Sequence, residues 1–500
     1  MSDIHDQAMN YVYQQVLHRL LGFYSRAERT ALQLFIQRLI VAAGGIERIN
    51  QFRVLVVHPG TRDSSYTLGF VRAAQLSIAG RAPATFNLRV ATLRHAGMSQ
   101  TAMANVHRSY SSLFVYDDPR VEVLMLEGEN VLPFSHLSPL CDEGRELNRR
   151  NMLLSCHLAP GVKRSTFRND CYLSMGAFYG RMARWGDGVD VLVSSDSPHE
   201  QRRYLTGFSS AARTIGLPSE GTPALDFEDL FSVLTSYGQD YFYQLCADQD
   251  HDQVQDQEEV PHNEDFQARR QVAYLGLHDL VRGELEDRWP LLSEFLGFQF
   301  DQLTSQVSDT EYVSPLLSAH THGLRTQFVD GRSYEEGVCQ YLQSAALLMR
   351  KKNLPEKVIE QMLSAYGNPQ RIEERRALAS SYAQQTLGLN ETQLVCLLFS
   401  PFVNAGAGLE RFLRCHHPGM LVALPELHKA LQTRSAAEQV LQWMVDVSGL
   451  SIGLLSKLYR MCPLSAADQV SIDLTDLERY AGPRLTPDSG GLTSEESAGS

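Results

Sequence analysis

The sequence lacks the patterns that mark secreted, membrane-spanning and disulfide-bonded proteins. No stretch reaches the ~18 consecutive apolar residues that suggest a membrane span. The first ten residues, MSDIHDQAMN, show no basic region followed by an apolar one, which a secretory signal requires. The eight cysteines stand singly, without a Cys-x-x-Cys pair, as is typical of reduced thiols rather than of a disulfide framework or a zinc site. These absences predict a cytoplasmic protein.

Catalytic motifs are also missing. The chain contains no Gly-x-Ser-x-Gly elbow, no His-Glu-x-x-His helix and no kinase signature set. Serine, cysteine and histidine are plentiful, but no motif brings them together, so choosing any one triad would be arbitrary. No cofactor is indicated.

The charge balance is acidic. Asp and Glu number 58 against 45 Lys and Arg, which gives a net charge of −13 at pH 7. A protein that neutralises nucleic-acid phosphates needs positive charge gathered on one face, and only short basic runs are present. Nucleic acid is therefore not an expected partner.

The clearest pattern in the chain is a strand, a turn and a helix over residues 52–80. Residues 52–57, FRVLVV, form a Val-rich apolar run that suits a strand buried on both faces. Proline and glycine end this run, and apolar residues then recur at helical spacing until Gly80. Either Asp63 or Ser64 is expected to cap this helix.

Further strands and helices are predicted on both sides of this unit. A pair of amphipathic helices with a break near Ser25 precedes it. Strands are expected at 86–93, 111–116, 121–126, 152–158 and 189–194, and a helix at 167–185. This order predicts an α/β N-terminal domain with a mostly parallel or mixed, Rossmann-like sheet.

The domain organisation follows from a shift in composition. Residues 248–265 contain eight acidic residues and no Lys or Arg, which is typical of a flexible linker, although they could also attract a basic partner. Helical spacing precedes the linker at 227–246 and dominates beyond it, at 268–286, 291–303, 334–352, 355–366, 371–387 and 436–447. The predicted units are a helical hairpin (1–45), an α/β domain (46–247), the acidic linker (248–265), a mainly α-helical domain (266–480) and a disordered tail (481–500).

The candidate site lies in two loops that follow predicted parallel strands. Such loops meet at one edge of an open α/β sheet, where ligands bind. Arg62, Ser64, Ser65 and Ser195 are the candidate ligand-binding residues, because they offer donors near helix N-termini. Asp196 is the candidate catalytic residue, which could act as a base or hold a metal. The alternative is that these residues only cap helices.

Two other groups of residues were candidates for binding. His320 and His322 would share one side of a strand and could hold a metal, as could Cys415-His416-His417. Neither has a third ligand at diagnostic spacing, so no metal site is expected. Residues 394–430 read as an apolar strand that runs into a glycine-containing loop and then a helix. The alternative is a buried pair of helices joined by the glycine loop.

Two functions remain open on the sequence alone. The first is an intracellular interaction or assembly protein, either self-associating or bound to a protein partner, because motifs are few and the C-terminal half is helical. The second is a transferase or hydrolase that acts on a phosphorylated or nucleotide-linked substrate through the α/β domain. Several donors and a carboxylate meeting at one strand edge would favour the second.

Overall fold

The computed structural model describes residues 3–158, 168–198, 200–202, 204–205, 208, 271–281, 285–300, 314–351, 354 and 356–461. The predicted helix at 227–246, the acidic linker and the predicted tail lie outside the described residues. No helix within them is both long and apolar enough to cross a membrane.

Within these residues, six strands form one mixed sheet: β1 (Arg53–Val57), β2 (Asn87–Arg94), β3 (Val121–Glu127), β4 (Asn130–Pro133), β5 (Val191–Ser194) and β6 (Ala273–Gly276). Their order is β4-β3-β2-β1-β5-β6. All neighbours run parallel except β4, which pairs antiparallel with β3 at one edge. The chain therefore builds outward from β1 on one side and then adds β5 and β6 on the other.

Strand β1 is buried on both faces, as its apolar sequence predicts. Val54 and Val56 pack into the core on one face, and Leu55 packs into the core on the other. Side chains alternate along a strand, so an apolar residue at every position is required only where both faces are covered.

The first face carries four helices: α1 (Asp3–Phe23), α2 (Arg26–Ala42), α3 (Arg62–Ala79) and α4 (Gln100–Ser112). Ser25 caps α2 in a reciprocal capping box with Glu28, which confirms the predicted break. The hairpin of α1 and α2 packs on α3. Because α3 lies between this hairpin and the sheet, every residue from Ser65 to Ile78 is buried.

The second face carries α5 (Asp142–His157) and α6 (Arg168–Arg184). Behind α5 lie helices of the C-terminal half, and one continuous apolar core joins the sheet, α5 and these helices. The C-terminal half is mainly helical, as expected. Its helices are α7 (Leu285–Pro290), α8 (Pro315–Phe328), α9 (Tyr334–Lys351), α10 (Glu356–Ser364), α11 (Pro369–Tyr382), α12 (Glu391–Phe399), α13 (Leu409–His416), α14 (Leu424–Thr433), α15 (Glu438–Ser448) and α16 (Ile452–Arg460).

The described residues also contain shorter helical segments. Three are 3-10 turns at Ile46–Gln51, Asn404–Gly406 and Pro418–Ala423, and two are π-helical turns at Leu291–Phe295 and Ala383–Leu387. The helices predicted at 334–352, 355–366, 371–387 and 436–447 are confirmed. The one predicted at 291–303 is confirmed only for its first turn, the π-helical segment.

Two of the predicted strands are wrong. Residues 111–116 contain the end of α4 and the turn after it, and residues 152–158 contain the last turns of α5. Every residue from Met152 to Leu158 is buried. A helix end that is buried all round reads as a continuous apolar run, which periodicity alone does not distinguish from a buried strand.

Three further expectations are also wrong. Residues 268–286 do not form one helix, because they contain the edge strand β6, whose four residues are too few to show a pattern. Residues 394–399 belong to α12, which Asn390 caps, and not to a strand; a glycine-containing turn joins α12 to α13, as in the alternative of a helix pair. His320 and His322 lie on α8 rather than on a strand.

Candidate functional site

The site is the carboxyl edge of the sheet, where the order of strands reverses around β1. The β1 loop (residues 58–61) and the β5 loop (residues 195–197) follow two adjacent parallel strands, as predicted. The hydroxyl of Thr67, on the first turns of α3, donates a 2.8 Å hydrogen bond to the Ser195 hydroxyl. The β5 loop is therefore joined to α3, the helix that follows the β1 loop, at the edge where open α/β sheets bind ligands.

Gly60 sets the path of the β1 loop. Its φ of +83° is in the left-handed region, and a Cβ there would lie 2.5 Å from the carbonyl oxygen of Ala102 on α4. Only glycine fits this position without strain. The Gly60 N–H donates to Nδ1 of the His58 ring over 3.1 Å.

The cap of α3 involves two of the predicted ligand-binding residues. Thr61, and not the expected Asp63 or Ser64, is the N-cap, with its Oγ1 accepting from the Ser64 N–H. The Ser64 Oγ accepts in return from the Thr61 N–H. Ser65 Oγ donates to the Thr61 carbonyl over 2.8 Å. Both serine hydroxyls therefore have partners within the cap.

His58 is fully buried at the end of β1. Its Nδ1 lies 3.0 Å from Ser64 Oγ, and the ring of Tyr110 crosses its own ring edge to face at 5.5 Å. Burial lowers the pKa of His58 to about 3, so the ring is neutral at physiological pH. The other ring nitrogen, Nε2, has no hydrogen-bond partner among the described residues.

Two arginines add unpaired donors. Arg62 at the start of α3 places Nε 3.3 Å from Asp63 Oδ2, and its buried Nη1 has no partner in the described structure. Arg94 ends β2 and is 7% exposed, and neither its Nε nor its Nη1 has a hydrogen-bond partner among the residues that the structure describes. Burial lowers the pKa of Arg94, and the charge of Glu127 at the end of β3 opposes that shift.

Arg94 was missed in the sequence. Because β2 lies beside β1, a charged residue at its last position reaches the same edge of the sheet as the β1 loop. The signal was an arginine closing the alternating run at 86–93, directly before His95.

The β5 loop holds Asp196 through its own neighbours. Ser194 Oγ donates a 2.7 Å bond to Asp196 Oδ2. Ser197, rather than Asp196, provides the capping hydroxyl for the following turn, by accepting from the Glu200 N–H. Burial and the nearby Asp196 charge raise the pKa of Tyr274 on β6. Asp196 is thus a carboxylate at the carboxyl edge of the sheet, held by the Ser194 hydroxyl.

The other groups considered from sequence are held within the helical half. His320 Nδ1 pairs with the Tyr334 hydroxyl at 2.8 Å, and His416 pairs with His417 at 3.0 Å. No cluster of three or more His, Cys, Asp or Glu side chains suited to a metal ion occurs among the described residues.

Comparisons with known proteins found no family model, no curated protein and no solved structure that matches this chain. The unpaired side-chain atoms of His58, Arg62 and Arg94 are all nitrogens, and each arginine nitrogen is a donor.

Proposed function

We propose that the Rossmann-like α/β domain binds a small phosphorylated ligand, such as a nucleotide, at the carboxyl edge beside β1, β2 and β5. The observation that supports this most is the set of four buried nitrogens without partners among the described residues: His58 Nε2, Arg62 Nη1, Arg94 Nε and Arg94 Nη1. They come from the ends of two adjacent strands and the start of α3.

A buried donor that makes no hydrogen bond destabilises the folded protein. Each buried donor without an acceptor costs about 1–3 kcal/mol. A ligand that brings several oxygen acceptors would recover this cost, and a negative charge would offset the buried arginine charges. Phosphate fits both needs, since its oxygens match the fork of an arginine side chain. An apolar ligand would fit neither.

The same edge offers a carboxylate for acid–base chemistry. Asp196 follows β5, and the hydrogen bond between Thr67 and Ser195 joins its loop to the first turns of α3. A transferase or hydrolase acting on a phosphorylated or nucleotide-linked substrate is the enzyme class that this arrangement supports.

The test is calorimetric titration of the full chain with inorganic phosphate, AMP and ADP. Arg94→Met removes the donors while keeping most of the side-chain length. It is expected to weaken binding by about 1.5–3 kcal/mol, which is the contribution of hydrogen bonds to charged groups. Arg38→Met, on the exposed face of α2, is the matched control and should bind like the wild type. Equal affinities for wild type and Arg94→Met would contradict the proposal.

The second candidate is self-association through the N-terminal hairpin. Leu34 and Val41 on α2 are 53% and 77% exposed and lie seven residues apart, hence on one face of the helix. Their exposure supports the assembly function proposed from the sequence. Light scattering on the wild type and on Leu34→Lys with Val41→Lys checks it. A monomeric wild type at high concentration would contradict self-association.

A further inference from the structure

We propose that His58 is fixed as the neutral tautomer protonated at Nε2, and that this N–H donates a hydrogen bond to the ligand. Ser64 is the positioning residue that holds the ring. This inference rests on the proposed function for the identity of the ligand, but the tautomer itself does not depend on it.

The tautomer follows from the direction of one backbone donor. The Gly60 N–H points at His58 Nδ1 over 3.1 Å, and a backbone amide can only donate. Nδ1 must therefore present its lone pair. In a neutral imidazole one nitrogen accepts and the other carries the proton, so the proton lies on Nε2.

Ser64 acts on the same nitrogen. Its Oγ accepts from the N–H and from the hydroxyl of Thr61, which leaves its single proton to donate. Two acceptors lie in reach at 3.0 Å, His58 Nδ1 and the Thr61 carbonyl oxygen. Either way the hydroxyl packs against the ring edge at Nδ1 and restricts rotation of the imidazole.

The imidazolium form is excluded by the same geometry. A proton on Nδ1 would face the Gly60 N–H, so that two donors would meet without an acceptor. The ring is also fully buried. Burial of a positive charge without a counter-ion is unfavourable, in keeping with the lowered pKa of His58.

Among the described residues, no acceptor lies within hydrogen-bond distance of His58 Nε2. Thr92, on β2 beside the ring, donates its hydroxyl proton to the His58 carbonyl and shares its oxygen with the Tyr110 hydroxyl. Tyr110 itself meets the His58 ring edge to face. A neutral, buried donor that has no partner among the described residues suits an uncharged contact to a ligand oxygen.

The tautomer is read directly by nuclear magnetic resonance on the full chain, labelled with 15N-histidine in a deuterated background. His58→Gln assigns the His58 signals by their loss. The ligand-free protein is expected to show the correlation pattern of a ring protonated at Nε2 only. Titration with inorganic phosphate should then move the Nε2 signal of His58 and leave that of His18, on the exposed side of α1, unchanged.

Two further variants separate the ring from its support. His58→Phe keeps the ring volume and loses the donor, and should weaken phosphate binding roughly tenfold. His58→Gln keeps an acceptor and a donor group and should therefore weaken phosphate binding less than His58→Phe does. Ser64→Ala should shift the Nδ1 signal, because that nitrogen loses a neighbouring hydroxyl, and Ser64→Thr should restore it.

The outcomes are distinguishable. A ligand-free ring protonated at Nδ1, or at both nitrogens, overturns the tautomer. The expected tautomer together with phosphate binding that leaves Nε2 unmoved and survives His58→Phe overturns the contact, while the proposed function stands. If neither phosphate nor a nucleotide binds the wild type, the proposed function and the contact both fail.

Discussion

Arg72 and Asp118 form an ion pair of 2.8 Å in which both side chains are fully buried. Arg72 lies on α3 and also donates to the carbonyl oxygens of Leu113 and Phe114. Arg120 donates to the same carboxylate from the other side. The pair therefore ties α3 to the turn that leads into β3, and holds in place the helix whose first turn forms the candidate site.

Asp118→Asn is expected to destabilise the protein by about 3–5 kcal/mol, because it leaves the buried Arg72 charge without its partner. Asp117→Asn is the control, since its side chain is exposed one residue earlier. Urea unfolding followed by circular dichroism measures both. A decrease in unfolding free energy below about 1 kcal/mol for Asp118→Asn would mean that this ion pair stabilises the protein no more than an exposed one does.

The stability is also expected to depend on acid through Asp118. Burial raises the pKa of this carboxyl, but the hydrogen bonds and charges of Arg120 and Arg72 outweigh it, so the pKa is lowered. A lowered pKa in the folded state stabilises the protein above the unfolded value of about 3.9 and loses that effect as pH falls further. The gap in unfolding free energy between wild type and Asp118→Asn should narrow below about pH 4. A gap that stays constant down to pH 3 would argue against this linkage.

Gly60→Ala should be more damaging than a left-handed φ alone would explain. Gly331 has a similar positive φ of +69°, but nothing lies within 4 Å of a Cβ built on it. Gly331→Ala should therefore destabilise the protein by about 1–2 kcal/mol, because alanine is strained in the left-handed conformation. Gly60→Ala adds a clash with the Ala102 carbonyl and should lose more stability and ligand affinity. Equal melting temperatures for the two variants would show that α4 moves aside.

Thr67→Val tests the contact between α3 and the β5 loop. It keeps the shape of the side chain and removes the hydrogen bond to Ser195, with an expected loss of about 0.5–1.5 kcal/mol. Thr30→Val is the control, because the Thr30 hydroxyl donates to the carbonyl oxygen of Arg26 within α2. Ligand affinity should fall for Thr67→Val and not for Thr30→Val. Equal ligand affinities for the two variants would show that the hydrogen bond between α3 and the β5 loop does not contribute to ligand binding.

The sequence predicted the parts of the site that depend on local pattern. The apolar runs of β1 and β5 indicated central parallel strands, and their parallel pairing is confirmed. Arg94 could not be placed, because whether it reaches the site depends on the register between β1 and β2. The proposed tautomer of His58 rests on the hydrogen bond from the Gly60 N–H to Nδ1, which no sequence motif indicates.

Strand β6 has a consequence for how the protein folds and can be divided. Its pairing partner β5 lies far earlier in the chain, so the sheet is completed only after a long segment has been synthesised. Pairings of high sequence separation form late and slowly. A fragment that ends at residue 247 would lack β6 and would expose the main-chain N–H and C=O groups of Val191, Leu192 and Val193. Such an unpaired edge strand can form hydrogen bonds with a strand of another chain. Expression of the α/β region for crystallisation should therefore carry the chain through residue 281.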